Sequence, residues 1–406
     1  MIYHVIIIGG GPAGLFAGAN IRDKKILLLE KNEIPGKKLL LSGAGQCNYT
    51  NNMAISEFLK QYGSKGRFLK TALYNFTNCD VIDFFDRKGL KSIIREDGKV
   101  FPHSLKAKDV LEVLIDSVNH VEILTRTAAE KVLYDEDKKL FYVKTHSNTF
   151  ASYNLIITTG GKSYPGSGST GDGYQFARSL GHTLVEPKPA LTPVYVEDYP
   201  FKELSGISFK NIKISLWKGN RKFNEFTGSF LFTHVNISGP VILNNSRYMD
   251  AGDILKINFT SLHNEEEFRV YFENLIRDSG KLSIKSALKQ LNIPKRFIEK
   301  VLEIAGIDEN ILCSQLNKNY RKKLIQLFSS YSMKIKNLGD YHIAMVTKGG
   351  VSTDEVNSKT MESKKISGLY FAGEVLDYDG NTGGFNIQAA FSTAKLAAEA
   401  IERDIP

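Results

Sequence analysis

Val5-Ile6-Ile7-Ile8-Gly9-Gly10-Gly11-Pro12-Ala13-Gly14, with the run Lys25 to Glu30 that follows it, decides the fold of this 406-residue chain. Val5 to Ile8 is a continuous apolar stretch of the kind buried on both faces of a parallel sheet. The glycines after it match G-x-G-x-x-G, Ala13 to Ala19 reads as a helix, and the second run closes a β-α-β unit. Each glycine has its own task. Gly9 permits the tight turn, Gly11 lets a diphosphate approach the backbone, and Gly14 lets the helix lie against the strand. Pro12 in the first turn gives up an N–H that would be free anyway, and the remaining N–H groups there, with Ala13 among them, favour an anion. Glu30 ends the second strand, where a carboxylate accepts from both hydroxyls of an adenosine ribose and repels a 2′-phosphate. A dinucleotide site is the expectation, and a glycine-rich turn without a ligand is the competing reading.

Outward from this unit the chain reads as α/β: a Rossmann-like domain built from both ends, interrupted by a β domain that itself carries a helical subdomain. Helices are expected within Ser56 to Gly89 and over Ala107 to Val118. Val121 to Ala129, Lys131 to Tyr134 and Leu140 to Thr145 read as antiparallel strands turning at Asp135-Glu136-Asp137, and Leu155 to Thr158 as a further apolar strand. After Pro187 and Pro189 the pattern changes to alternation at Thr192 to Val196, Ile212 to Trp217 and Ile254 to Phe259. The expected division is a Rossmann-like domain of residues 1–190 and 350–406, a barrel-like β domain of 191–262 and 336–349, and a helical insertion of 263–335. In the final helix, Asn386 to Glu402, Ala390, Ala394, Ala397, Ala398 and Ile401 are placed to pack closely on a sheet.

Composition sets outer bounds. With 42% hydrophobic and 24% charged residues the chain is globular rather than disordered. No apolar run approaches the roughly 20 residues that cross a bilayer, and the N-terminus reads as a strand rather than a leader, so a cytoplasmic protein without membrane contact is expected. Cys47, Cys79 and Cys313 form no C-x-x-C pair, which fits a reducing compartment and no metal site. The net charge is +9, and His263 to Lys336 holds fourteen Lys and Arg against nine Asp and Glu. Because acids lie among those cations, a solvated face is the reading and nucleic acid is not the expected partner.

Which dinucleotide is bound depends on what lies further along. Lys31, Lys37 and Lys38 lead into Ser42-Gly43-Ala44-Gly45-Gln46-Cys47-Asn48, a small-residue loop suited to an extended polar ligand such as a flavin's ribityl chain, or simply a surface loop. Thr158-Thr159-Gly160-Gly161 and Leu369 to Gly373-Glu374 resemble the second and third flavin segments of two-dinucleotide-type flavoproteins. Ala128 completes the expected cofactor contacts. Gly383-Gly384-Phe385-Asn386 opens the last helix, so the N–H groups of Phe385, Asn386 and Ile387 can meet the negative charge of a reduced flavin. A helix-capping loop with close packing is the plainer alternative.

On these residues the chain resembles the HI0933-like, BaiN-type family of FAD-binding oxidoreductases, which includes aminoacetone oxidase-like flavoproteins. Further matching segments are Phe101-Pro102, Gly160 to Pro165, Gly168 to Gly173, Phe232-Thr233-His234 with Ser238-Gly239-Pro240, and Lys348 to Val351. The resemblance implies non-covalent FAD, NAD(P)H as electron donor, and reduction of a small organic substrate such as the C=C of a steroid-like or bile-acid-like compound. Alternatives are an oxygen-using amine oxidase and a nucleic-acid-associated, tRNA-modifying-like flavoprotein. The family usually carries Arg where Gln46 stands, so a cation near the cofactor is missing at that position. Only one dinucleotide fingerprint is present, so a nicotinamide donor must share the substrate space. That space is expected at the junction with the β domain, with Tyr164 and His234 as the polar side chains nearest the chemistry. The flavin itself is the expected redox catalyst, and Cys47 a structural or cofactor-lining residue.

Overall fold

A computed structural model describes residues 1–404. It divides into two compact units, Met1–Ala190 with the chain from Tyr341 onward, and Leu191–Asp340.

The first unit is built on a seven-stranded sheet in the order Glu122–Leu124, Ile26–Leu29, Ile2–Ile8, Thr149–Ile157, Leu140–Thr145, Ala129–Asp135. The seventh strand, Leu369–Phe371, pairs in parallel with the far half of Thr149–Ile157, beyond the point where Leu140–Thr145 leaves it. One row of the parallel part is in register from edge to edge: Leu124 with Leu29, Leu29 with Ile8, Ile8 with Ile157, and Ile157 with Phe371. Burial explains this register, since Val5 to Ile8, Leu27 to Leu29, Leu155 to Ile157 and Leu369 to Phe371 are buried throughout. A slip of one strand by one residue would break its own pairings in this row and turn its side chains to the opposite face. The helices Pro12–Asn20 and Phe385–Asp404 pack together, with Phe16 against Phe391 at 5.0 Å and against Phe76 at 5.1 Å between ring centroids. Ala389, Ala394, Ala397 and Ala398 on the last helix are buried, and their small side chains permit that close packing.

The second unit is a closed barrel in the order Val194–Val196, Ile237–Ser238, Arg221–Phe232, Ser208–Lys218, Ile254–Asn258, Tyr331–Leu338. Helices Glu265–Asp278, Ile284–Leu288, Lys295–Ala305 and Lys318–Ser329 lie between its last two strands in the chain. They share one core with the barrel, where Phe297 meets Phe259 at 4.5 Å and Phe209 at 5.1 Å.

Three boundaries differ from the sequence reading. Residues 122–124 form a parallel edge strand beside Ile26–Leu29 rather than part of the antiparallel meander, which begins at Ala129. The barrel strand starts at Tyr331, not after residue 335, because Met333 and Ile335 turn into the core while Lys334 and Lys336 turn out, a strand alternation within a charge-rich stretch. Residues 341–349 join the first unit, since Val346–Val351 pairs with Leu184–Ala190.

A buried His182 links the segments behind this unit's sheet. Its Nε2 lies 2.8 Å from Ser363 Oγ and its Nδ1 3.2 Å from Glu355 Oε2. Superficially this is a nucleophile, base and acid in a row. Ser363 Oγ, however, is buried and accepts the N–H groups of Lys365 and Ile366, so the arrangement ties chain together. For Glu355, partial burial works to raise the pKa, but the Lys365 ammonium and the Thr183 N–H and hydroxyl outweigh it and hold the carboxyl at about 2, against an ordinary 4.5. The folded form therefore holds this proton less tightly than the unfolded chain, and the stabilisation is full above pH 4.5 and lost as pH falls toward 2. Glu355→Gln is expected to lower the urea midpoint at pH 7, with a gap to the parent that narrows as pH falls from 4.5 to 3. Equal gaps at pH 7 and pH 3 would contradict this assignment.

Candidate cofactor site

The in-register row delivers five chain segments to one edge of the sheet: Gly9, Glu30, Thr125, Thr158 and Ala372 each follow its last paired residue. In open α/β sheets this carboxyl edge is where ligands bind.

At the first segment, Leu15 N–H makes the first intrahelical bond, to Gly11 O at 3.0 Å, so the N–H groups of Ala13 and Gly14 point out of the helix. Gly11 caps this helix with no side-chain bond. A Cβ at Gly11 would have nothing within 4 Å, whereas one at Gly14 would lie 1.9 Å from Gly9 O. The two positions thus differ in kind. Gly14 is required by the helix lying on the strand turn, and Gly11 faces open space at the mouth of the dipole. Thr158 Oγ1 secures the turn by donating to Ile8 O or Gly9 O, at 3.0 and 2.8 Å.

Glu30 is buried and oriented by three donors: Gly10 N–H to Oε2 at 2.8 Å, and Asn32 N–H and Nδ2 to Oε1 at 2.7 and 2.8 Å. Asn32 Nδ2 also reaches Ser167 O at 3.1 Å, a partner it keeps if a ribose hydroxyl takes its place on the carboxylate. Thr127 N–H donates to Glu30 O at 2.9 Å, which brings the exposed Ala128 alongside. Lys31 pairs with Asp172, while Lys37 is exposed.

A second cluster joins segments distant in sequence. Lys38 Nζ donates to Glu374 Oε2 and Ser163 Oγ, both at 2.8 Å, and Glu374 Oε1 accepts from Ser163 Oγ at 3.0 Å and Thr347 N–H at 2.8 Å. Thr347 Oγ1 in turn accepts the N–H of Lys162 at 2.8 Å and of Ser163 at 3.1 Å. Next to Glu374, Gly373 lies against Ala13, where an added Cβ would be 2.9 Å from that of Ala13. Gly161 packs against Thr347 and Glu374, and Gly160 follows Thr159 in a left-handed conformation.

The third element is the loop through Ser42 to Asn48. Gly43, Ala44, Gly45 and Cys47 all have positive φ, between +56° and +84°. For Ala44 and Cys47 this costs on the order of 1–2 kcal/mol each. Ser42 Oγ bonded to Leu39 O and Asn48 Nδ2 bonded to Thr50 O and Val100 O hold the loop in this shape. Thr50 then meets the start of the last helix so closely that a Cβ at Gly384, φ +93°, would be 2.4 Å from Thr50 O. Gln388 N–H makes that helix's bond to Gly384 O, which leaves the N–H groups of Phe385, Asn386 and Ile387 pointing outward. The Asn386 side chain closes its own loop on Gly380 N–H and O, so its backbone is what it offers a ligand. Burial pushes the Cys47 thiol up to about 12, so it remains protonated at neutral pH.

A family model for the HI0933-like protein Rossmann domain matches residues 3–400. The chain belongs to the HI0933-like family. It is thereby an FAD-dependent oxidoreductase. A ribosomal RNA dihydrouridine synthase of Haemophilus influenzae is 34% identical to this HI0933-like protein, over 98% of each chain. The 3-dehydro-bile acid delta(4,6)-reductase of Clostridium scindens is 30% identical over 97% of this chain and 98% of its own. Among solved structures, 3-ketosteroid delta1-dehydrogenase from Sterolibacterium denitrificans superposes with a TM-score of 0.52 over 100% of both chains, a likeness of fold at 12% identity.

The donor set fits the cofactor. Two outward-facing helix N-termini, an oriented buried carboxylate and an open Gly11 are what a diphosphate, a ribose and a flavin ring require. Tyr164 belongs to the same unit. It is half-buried with φ +53°, rare for a bulky side chain, and its N–H donates to Tyr341 O at 2.8 Å. His234 lies in the second unit, exposed in the turn between Arg221–Phe232 and Ile237–Ser238. Sequence reasoning missed Asn32, Ser163 and Thr347 as site-shaping residues, and quoted Thr158 within a flavin segment without the turn-securing role of its hydroxyl. Ser163 stood inside a quoted motif, but its bonds to Lys38, Glu374 and Thr347 are long-range.

Gly11→Ala is expected to fold with the parent's stability, within about 0.5 kcal/mol, and to bind FAD at least about ten-fold more weakly because its methyl occupies diphosphate space. Equilibrium titration of apoprotein with FAD measures this. A variant that binds as tightly as the parent would place the diphosphate elsewhere.

Proposed function

We propose that this protein reduces a C=C bond conjugated to a carbonyl, with NAD(P)H as electron donor and a uracil base in RNA as substrate. The observation that carries the reaction class is shared by the Haemophilus influenzae and Clostridium scindens relatives described above. Dihydrouridine is uridine with its ring C=C saturated, and a delta(4,6)-reductase acting on a 3-dehydro compound saturates carbons conjugated to a ketone. The choice of RNA rests on the 34% identical relative and on the net charge of +9, which favours a polyanion. The charge excess of the helical region contributes less than its count suggests. Lys285 pairs with Glu299 and Glu309, Arg269 with Glu266, Arg321 with Glu273, and Lys300 with Glu303.

In this reading Gly11, Pro12, Ala13 and Gly14 would hold the FAD diphosphate, and Glu30, with Lys31 and Ala128 beside it, the adenosine ribose. The Ser42 to Asn48 loop, Thr159 to Gly161 and Gly373-Glu374 line the ribityl side, with Lys38 held by Glu374 and Lys37 at the rim. Bound there, FAD supplies hydride transfer. The N–H groups of Phe385, Asn386 and Ile387, at the start of a 20-residue helix, would stabilise the negative charge that a flavin acquires on reduction. The substrate gains a hydride at one carbon and a proton at its neighbour, and NAD(P)H is oxidised to NAD(P)+. With a single fingerprint motif, nicotinamide and substrate use the same open face in turn.

The test is anaerobic. Holoprotein with NADPH or NADH is incubated with ribosomal RNA lacking dihydrouridine, and in parallel with a steroid dienone, and products are read by mass. A gain of two hydrogens in uridine supports the proposal. Reduction of the dienone with unmodified RNA would overturn the RNA assignment, and peroxide production from amines without nicotinamide would overturn the reaction class.

A further inference from the structure

Arg95 opens the turn between strands Ser92–Ile94 and Lys99–Pro102, where its N–H donates to Lys99 O and its O accepts from Gly98 N–H, both at 2.9 Å. From there its guanidinium lies 4.0 Å over the Phe101 ring, and Nη2 donates to Gln46 Oε1 at 2.6 Å. Both partners belong to or adjoin the Ser42 to Asn48 loop. Gln46 is in it, and Phe101 supports it, since a Cβ at Gly43 would lie 3.3 Å from Phe101 Cε1. Stacking fixes the plane of the guanidinium and the amide fixes its rotation. The residue is exposed, and its other N–H donors have no hydrogen-bond partner among the described residues. A planar cation held over a ring and by an amide, with free donors beside a strained loop and with the nearby Asp97 carboxylate already paired to Lys99, is arranged to receive an oxyanion. Gln46 thus holds a cation that comes from position 95.

We infer that Arg95 binds a backbone phosphate of the RNA next to the base being reduced, an inference that rests on the RNA reading above. Gln46 is the positioning residue. Exposed Ile94 and Leu41, at 48% and 53%, lie on the same hairpin and on the approach to the loop, and give the flanking nucleotides apolar surface.

The test compares FAD-loaded parent, Arg95→Ala, Arg95→Lys and Gln46→Ala in the ribosomal RNA assay across a salt series. The expected result for Arg95→Ala is a KM raised about ten-fold, a smaller change in kcat, and a salt slope of log(kcat/KM) shallower by about 1. Arg95→Lys is expected to restore the slope but not the KM, because an ammonium keeps the charge and loses the planar fork. Gln46→Ala should fall between parent and Arg95→Ala, and provides the reading if Arg95→Ala folds poorly. Flavin content is measured for each variant, so lost cofactor is told apart from lost RNA contact. If the parent forms dihydrouridine while Arg95→Ala and Gln46→Ala keep its KM and salt slope, the inference is overturned and the RNA reading stands. If the parent forms none, the RNA reading fails and takes the inference with it.

Discussion

Everything at the candidate site hangs from one row of paired residues: Leu124, Leu29, Ile8, Ile157 and Phe371, side by side in five parallel strands. Where the central strands meet this row they are apolar and buried, as at Val5 to Ile8, Leu27 to Leu29, Leu155 to Ile157 and Leu369 to Phe371, and packing on both sides holds their register. The consequence is geometric. Gly9, Glu30 and Thr158 leave the sheet at one level, and so does the turn into Gly373, although these residues span nearly the whole chain. The sheet thus sets the distances between Gly9, Glu30 and Thr158.

Onto that rigid edge the chain adds parts that are costly in isolation. Ala44 and Cys47 sit at positive φ, Lys38 and Glu374 form a largely buried ion pair with 24% and 19% side-chain exposure, and Gly384 presses on Thr50. Charges removed from water need several partners to be tolerated, and Glu374 has them in Lys38, Ser163 and Thr347. Strain and partial burial concentrated around one loop are what a site that must pre-arrange donors looks like.

Much of the fold is legible in the sequence. The β-α-β seed announces itself through an unbroken apolar run ending in glycines, and the last helix through its alanines. What could not be read follows from what local pattern lacks. Residues 122–124 are too short to declare their direction, which Leu29 dictates across the sheet. Tyr331 to Leu338 alternates like a strand, but its lysines continue the charge pattern of the helices before it. Thr347, Asn32 and Arg95 carry no motif. Their meaning lies in partners up to 185 positions away, as between Thr347 and Lys162.

The central claim is that the adenosine half of a dinucleotide is gripped at Gly11 and Glu30. Releasing and identifying the flavin from purified protein tests it most directly. The account predicts FAD, close to one per chain. Recovery of FMN, which has no adenosine for Glu30 to hold, or of no flavin from protein supplied with FAD, would contradict it.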